Sequence, residues 1–131
     1  VLTGLWLSRP LKGEAREDGG LVLEALAAGR CFASLGRARG FSCTVSGPDG
    51  QLLPGVETGY AQGMVLHAVL PGRGKARLIH NGRVILEAVG RRFAWPINAP
   101  GVWRVEARRW RPPAGWRPWI YCNPFYLREA V

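Results

Sequence analysis

The last third of the chain alternates between apolar and polar positions. In the segment 102–108, apolar side chains fall at every second residue, at Trp103, Val105 and Ala107, and charged residues stand between them. A period of two is typical of a strand with one face buried and the other exposed. The pattern therefore predicts a strand whose Trp103 face lies in a core.

Similar strand patterns recur from residue 30 onward and are separated by turn residues. Asn81-Gly82 between two apolar runs predicts a tight hairpin, because both central residues of a type I′ turn take a positive φ. Pro71-Gly72 is expected to end the strand before it. The predicted strands cover residues 30–35, 41–45, 64–70, 76–80, 83–87, 92–97, 102–109 and 120–128. Turn-marked strands at this spacing favour a mainly β fold, an antiparallel immunoglobulin-like β-sandwich preceded by one short α-helix.

The N-terminal region lacks the strand pattern. Residues 1–20 contain Pro10 and several glycines and are predicted to form a loop. A short helix over 20–28 follows, with Asp18 as its N-cap and Gly29 as the left-handed residue after its end.

Length, composition and net charge limit the classes of function that this chain can have. The 131 residues suffice for one domain with a packed core, and the net charge is +9, with arginine far in excess of lysine. Such a charge suits nucleic acid or another polyanion, but the arginines are dispersed, and a solvated surface, as in an arginine-rich proteome, is the preferred interpretation. Neither a transmembrane run nor signal-peptide features are present, so a cytoplasmic protein without membrane contact is expected.

The cysteines number three and show no CxxC spacing. Cys31, Cys43 and Cys122 each stand beside an apolar residue, which favours buried free thiols in a reducing compartment over a zinc site or a disulfide framework. The sequence leaves a Cys31–Cys43 bridge open.

An ordered series of segments resembles the C-terminal region of PHP-type (polymerase and histidinol phosphatase) metal-dependent phosphoesterases. The segments are LEALAAGRCFA (23–33), RGFSC (39–43), RLIHNGRV (77–84), NAPGVWRVE (98–106) and RPWIYCNPFYLR (117–128). Two positions depart from the family pattern: Trp103 replaces a usual Tyr, and Cys122 replaces a usual Ser.

The resemblance implies an accessory domain without a catalytic half. PHP-type catalysis uses clustered His, Asp and Glu ligands for two or three divalent metals, and the two histidines and two aspartates of this chain fit no such cluster. The resemblance divides the chain into 1–36, the tail of a PHP-type domain, and 37–131, the β-sandwich. It implies no catalytic residue, metal ligand or cofactor in this chain, and a PHP-type catalytic domain, in the same or a separate chain, as partner.

One segment combines residue types suited to binding. Tryptophan can stack on bases or sugars while arginine pairs with phosphate. The candidate docking or binding residues are Arg108, Arg109, Trp110, Arg111, Trp116, Arg117 and Trp119. The preferred interpretation is a loop stiffened by proline and glycine, whose tryptophans cover the open end of the sandwich or dock on a catalytic domain. Weak, non-specific polyanion binding by a free-standing module is the alternative, and a carbohydrate platform of Trp110, Trp116 and Trp119 comes third.

The two histidines and the remaining polar motifs carry weaker signals. His67 is interpreted as a structural or surface residue within a strand, and His80 as a solvent-facing neighbour of the hairpin turn. The serines lack the setting of a hydrolase nucleophile, and the glycine-rich segments 36–40 and 71–75 lack the phosphate-loop pattern.

Overall fold

The strands pair into one continuous curled sheet in the computed structural model, which describes residues 2–129. Within those residues there are ten strands and one helix. In chain order they are β1 Leu2–Leu5, α1 Ala15–Ala27, β2 Cys31–Ser34, β3 Ser42–Gly47, β4 Gly50–Leu52, β5 Glu57–Gly59, β6 Val65–His80, β7 Arg83–Pro96, β8 Gly101–Arg111, β9 Gly115–Cys122 and β10 Phe125–Arg128. The main path through the sheet is β1-β2-β9-β8-β6-β3-β4, with β7 beside β6 and β10 beside β8 and β5.

The fold class predicted from the sequence is confirmed: the protein is mainly β, the sheet is mostly antiparallel, and one helix precedes most of it. The parallel pair is β5 with β10. The finer prediction of two separate immunoglobulin-like sheets is not confirmed, because hydrogen bonding joins every strand of residues 2–129 into one network. The predicted boundary at residues 36 and 37 does not interrupt this network, since β2 pairs with β9.

A long bent hairpin, β6–β7, gives the sheet its curl. The first half of β6 pairs with β3 and the second half pairs with β8, while β7 follows both halves. The β6–β7 register shifts between Val69 and Gly74, which places Pro71 in a stretch where no ladder donor is needed. Pro71-Gly72 therefore does not end the strand as predicted, and the segments 64–70 and 76–80 belong to one strand.

The predicted hairpin turn is confirmed. Asn81 and Gly82 have φ values of 49° and 81°, as a type I′ turn requires. His80 pairs with Arg83 on either side of it.

The core lies on the concave face of the curled sheet. Trp103, Val105 and Ala107 are all buried, so the predicted register of this strand is confirmed. They pack with buried residues of β3, β6, β9 and β10, among them Leu66 and Phe125. Trp103 also donates its indole N–H to the carbonyl of Ala99 at 3.0 Å, so its one polar atom is satisfied.

Two predictions for the N-terminal region are wrong. Residues 2–5 form a strand rather than a loop, because they pair antiparallel with β2 and place Gly4 beneath the ring of Phe32, where a Cβ atom would collide. The helix begins five residues earlier than predicted. Asp18 is consequently not its N-cap; its carboxylate accepts the backbone N–H groups of Lys12 and Gly13 at 3.0 and 2.8 Å.

The end of the helix agrees with the sequence. Gly29 follows it with a φ of 72°, the left-handed conformation expected there. Within residues 2–129, no helix has the length and apolar character needed to cross a membrane.

Candidate docking and binding hairpin

The candidate residues lie on the hairpin formed by β8 and β9. We call residues 108–119 the Arg/Trp hairpin. Its turn spans 112–114, and Gly115 takes a φ of 82° as the returning strand begins. The hairpin is more ordered than the loop predicted from the sequence, since β8 extends to Arg111 and pairs with β9 up to Gly115.

An aromatic pair occupies one face of this hairpin. Trp110 lies directly opposite Trp116, and their rings meet edge to face with centroids 5.5 Å apart. The ammonium group of Lys75 lies 4.7 Å from the ring centre of Trp116, within cation–π distance. Arg108 pairs opposite both Lys75 and Pro118 and so belongs to the same face. Trp110 is 57% exposed, which leaves a large apolar surface at the hairpin tip.

Three arginines occupy the opposite face. Arg109 lies opposite Arg117, and Arg111 lies two residues along the strand from Arg109, so all three alternate with Trp110. Arg111 and Arg117 are exposed. The Arg/Trp hairpin therefore separates its aromatic side chains from most of its positive charge, which the sequence did not indicate.

Arg109 is held against the body of the domain. Its guanidinium donates to the carbonyl of Leu35 at 3.1 Å and lies 5.5 Å from the ring centre of Trp119. Gly36 makes this approach possible, because a Cβ atom there would collide with the guanidinium. Partial desolvation lowers the pKa of Arg109 below its ordinary value and the charge of Arg111 adds to this, yet an arginine so high in pKa stays protonated.

Trp119 belongs to the core and not to the hairpin tip. It is 5% exposed, and its indole N–H donates to the carbonyl of Arg37 at 3.0 Å. Among the three tryptophans predicted as a carbohydrate platform, only Trp110 and Trp116 share an accessible face. The shift in register between Ala107 and Arg108 separates the hairpin tip from the buried part of these strands.

The histidines have structural partners. His80 is not solvent-facing as predicted: its ring stacks on Trp103 at 4.0 Å, and its Nε2 donates to the carbonyl of Pro100 at 2.9 Å. His67 is half-buried in β6, with Nε2 3.3 Å from the hydroxyl oxygen of Ser46. The two side chains lie in different parts of β6 and share no contact partner.

All three cysteines are free thiols, and Cys43 and Cys122 are buried, as the sequence predicts for core residues. Burial raises the pKa of the Cys122 thiol, and the neighbouring Cys43 thiol raises it further. Cys31 is half-buried and accepts a hydrogen bond from the amide of Asn123 at 3.1 Å. Buried protonated thiols of this kind are poor nucleophiles.

One exposed feature was missed in the sequence. Strand β7 carries three consecutive apolar residues, Val84, Ile85 and Leu86, and after Glu87 and Ala88 a fourth large one, Val89, and all four side chains are about half exposed. Consecutive apolar residues without alternation are typical of a strand that is covered on both faces. Such a run was therefore the signal in the sequence that this strand has apolar side chains on both faces. The structure instead places it at an edge.

No group of three or more His, Cys, Asp or Glu side chains among residues 2–129 is arranged to hold a metal ion. Comparisons of the chain with protein-family models, with curated proteins and with solved structures give no match.

Proposed function

We propose that this chain is a non-catalytic accessory β-domain of a PHP-type metal-dependent phosphoesterase, and that it packs on a catalytic domain through the aromatic face of the Arg/Trp hairpin. The motif resemblance supplies the family. The observation that carries the docking role is Trp110, a tryptophan 57% exposed at the tip of an ordered hairpin. Exposed aromatic side chains of this size mark interaction surfaces and are enriched where proteins associate.

The division of the hairpin favours docking over nucleic-acid stacking. A single strand requires aromatic rings and phosphate-binding cations on the same surface. Here the exposed rings share their face with Arg108 and Lys75, and Lys75 already lies 3.5 Å from the carboxylate of Glu87. Three of the four hairpin arginines, Arg109, Arg111 and Arg117, lie on the face opposite the rings.

Protection of Trp110 tests this proposal. The reading frame upstream of Val1 is examined for His-x-His and further His and Asp ligands, and a longer protein that includes it is compared with the present chain by oxidative footprinting. Trp110 is expected to be modified readily in the present chain and to be protected in the longer protein. A start codon directly before Val1 would restrict the partner to a separately encoded catalytic domain, which then takes the place of the longer protein in the comparison. Equal modification of Trp110 with and without the catalytic domain would contradict the proposal.

The proposal also makes an expectation about chemistry. The isolated chain should retain no stoichiometric Mn²⁺ or Zn²⁺ after dialysis and should hydrolyse no generic phosphoester, because the proposed catalytic ligands belong to the partner domain. Metal analysis and a chromogenic phosphoester assay measure this. Turnover that disappears in His67→Ala would contradict it, since it would place a catalytic group in this chain.

A second candidate, polyanion binding, is favoured by the arginine face. Arg111 and Arg117 are exposed, and within residues 2–129 neither has a carboxylate partner. If this face is a nucleic-acid site, Arg111→Ser and Arg117→Ser together should lower the slope of log K against log salt by about 2. Arg109 is left intact because it supports Trp119.

The matched control removes the same charge elsewhere, by Arg16→Ser in the helix and Arg83→Ser beside the Asn81-Gly82 turn, both exposed. Docking predicts weak binding at low salt that both double variants reduce equally. Tight binding that persists at about 150 mM salt and is lost only in the hairpin variant would establish the second candidate in place of docking.

A further inference from the structure

The outer edge of β7 is unpaired. Among residues 2–129, β6 is the only strand that pairs with β7, so the backbone N–H and C=O groups along its other edge have no strand partner. Natural edge strands are normally protected by charge, proline or a covering element. From Arg83 to Trp95 this strand contains no proline, and its exposed side chains in the first half are largely apolar.

The apolar side chains lie on both faces of this edge. Leu86 lies opposite the buried Leu78, while Val89 lies opposite Lys75 on the convex face. Each remains 45% exposed, because the sheet stops at β7 and nothing continues either face. A strand added beside β7 would cover apolar surface above and below the sheet and complete the hydrogen-bond ladder.

The charges along the edge specify what kind of strand fits. Arg83, Arg91 and Arg92 are exposed cations. Glu87 is the strand's one acidic residue, and its carboxylate is already engaged by Arg77 and by Lys75. An incoming segment therefore meets an apolar run flanked at both ends by uncompensated positive charge.

A second copy of the chain fits this edge poorly. An antiparallel arrangement that superimposes the two segments, 84–89 on 84–89, places Arg83 of each chain opposite Gly90 and diagonal to Arg92 of the other. Diagonal neighbours lie within reach of long side chains, so these like charges repel one another. The net charge of +9 opposes self-association further.

We propose that the β7 edge binds an extended acidic polypeptide segment as an added strand, with Asp or Glu at both ends of a central apolar stretch. Backbone hydrogen bonds to the free edge supply affinity, as in other strand-addition complexes, and the flanking arginines select the acidic sequence. This surface is separate from the Arg/Trp hairpin, and the proposal does not depend on the function assigned to that hairpin.

Designed peptides test the proposal. The probe is a fluorescent decapeptide with two Glu residues at each end of a central stretch of Val, Ile and Thr, compared by anisotropy with the same peptide carrying Lys for every Glu. Ten residues span about 33 Å, the length of the run from Arg83 to Arg92. The acidic peptide is expected to bind at least about tenfold more tightly, since three exposed cations each contribute a few-fold.

N-methylation separates strand addition from simple charge attraction. Methyl groups on alternate backbone nitrogens block one edge of the peptide, and the two possible phases block opposite edges. One phase should abolish binding and the other should leave it nearly unchanged. Equal binding by both methylated phases, or equal binding by the acidic and basic peptides, would overturn the proposal.

Two protein variants locate the site. Ile85→Ser with Val89→Ser removes apolar contact without changing charge and should weaken acidic-peptide binding at least about tenfold, whereas the control Leu11→Ser with Leu23→Ser, at more exposed positions off the sheet edge, should not. Arg83→Glu with Arg92→Glu should reverse the preference and favour the basic peptide, a gain that misfolding cannot produce. Removal of hairpin arginines by Arg111→Ser and Arg117→Ser should leave peptide binding unchanged.

Sedimentation of the unliganded protein completes the test. A monomer is expected at micromolar concentration. A dimer that Ile85→Ser with Val89→Ser converts to monomer would mean that a second copy occupies the edge, and the proposal would then be wrong.

Discussion

Trp103 and Trp110 lie on the same strand, β8, yet one is fully buried and the other is 57% exposed. Around Trp103, β8 has β6 on one side and β10 on the other, and His80 stacks on the indole. The last β6 partner is Lys75 opposite Arg108, so Trp110 projects beyond the sheet with Trp116 as its aromatic neighbour. The two indoles also lie on opposite faces of β8, because they stand seven positions apart and Trp110 shares the face of Arg108. The comparison teaches that a tryptophan in a strand reports a core only on the face that the sheet buries and where strands lie on both sides of it.

The largest expected effect comes from replacing each of these two tryptophans by alanine. Trp103→Ala should lower the free energy of unfolding by about 3–5 kcal/mol, as for a large core side chain replaced by a small one. Trp110→Ala should change it by less than about 0.5 kcal/mol, because little of that ring is buried. Urea unfolding of the two variants and the parent measures both values. Similar losses in the two variants would show that the hairpin tip contributes to the core.

The next effect concerns the ring that covers Trp103. His80→Ala removes both the stacking contact and the hydrogen bond to Pro100, and should cost about 1–3 kcal/mol. His67→Ala is the comparison variant, since the distance of 3.3 Å to Ser46 indicates a weaker hydrogen bond and His67 stacks on no ring. If urea unfolding shows that His80→Ala and His67→Ala lower the free energy of unfolding equally, His80 does not act through Trp103.

A smaller effect sharpens the distinction between the buried Trp119 and the Trp110–Trp116 pair at the hairpin tip. Trp119→Phe keeps most of the ring volume but removes the donor to the carbonyl of Arg37, and should cost about 1 kcal/mol. Trp116→Phe should be nearly neutral, because its ring is needed only for the contacts with Trp110 and Lys75. Thermal unfolding compares them, and the reverse order of stability would contradict the separation of Trp119 from the tip.

The smallest effect depends on pH. The hydrogen bond from Arg77, aided by the charges of Arg77 and Lys75, holds the pKa of Glu87 below its ordinary value. A depressed carboxyl pKa stabilises the folded state above the ordinary pKa, and this contribution is lost as the pH falls through the lowered value. The parent should therefore be slightly more stable than Glu87→Gln near pH 7, and the difference should vanish in acid. Urea unfolding across that range measures it, and a difference that stays constant would show that the ion pair is not its source.

Local pattern predicted the strands wherever a turn or an alternating segment marked them. The Asn81-Gly82 turn, the burial of Trp103 and the left-handed Gly29 each depend on neighbouring residues alone, and each agrees with the structure. The prediction failed where a partner strand decided the outcome. Leu2–Leu5 is a strand because β2 lies beside it, and Pro71 is tolerated because the ladder is interrupted there.

The candidate site was predicted only as a composition. Residue types along 108–119 identified a segment suited to binding, but a bulge after Ala107 and the pairing with β9 decide which side chains share a face. That pairing directs Trp119 into the core and divides the exposed tryptophans from the arginines. Sequence reasoning had no access to it, because the effect of a bulge depends on the strand opposite.

The amino-acid sequence by itself determined that this protein is mainly β, where its tightest turn lies and which side of β8 is buried. These properties follow from side-chain period and backbone preference, which act over a few residues. The tertiary structure alone decided that β7 ends the sheet, that His80 covers Trp103 and that the Arg/Trp hairpin has two unlike faces. Those properties arise from contacts between residues far apart in the chain, where burial depends on what lies opposite and not on the residue itself.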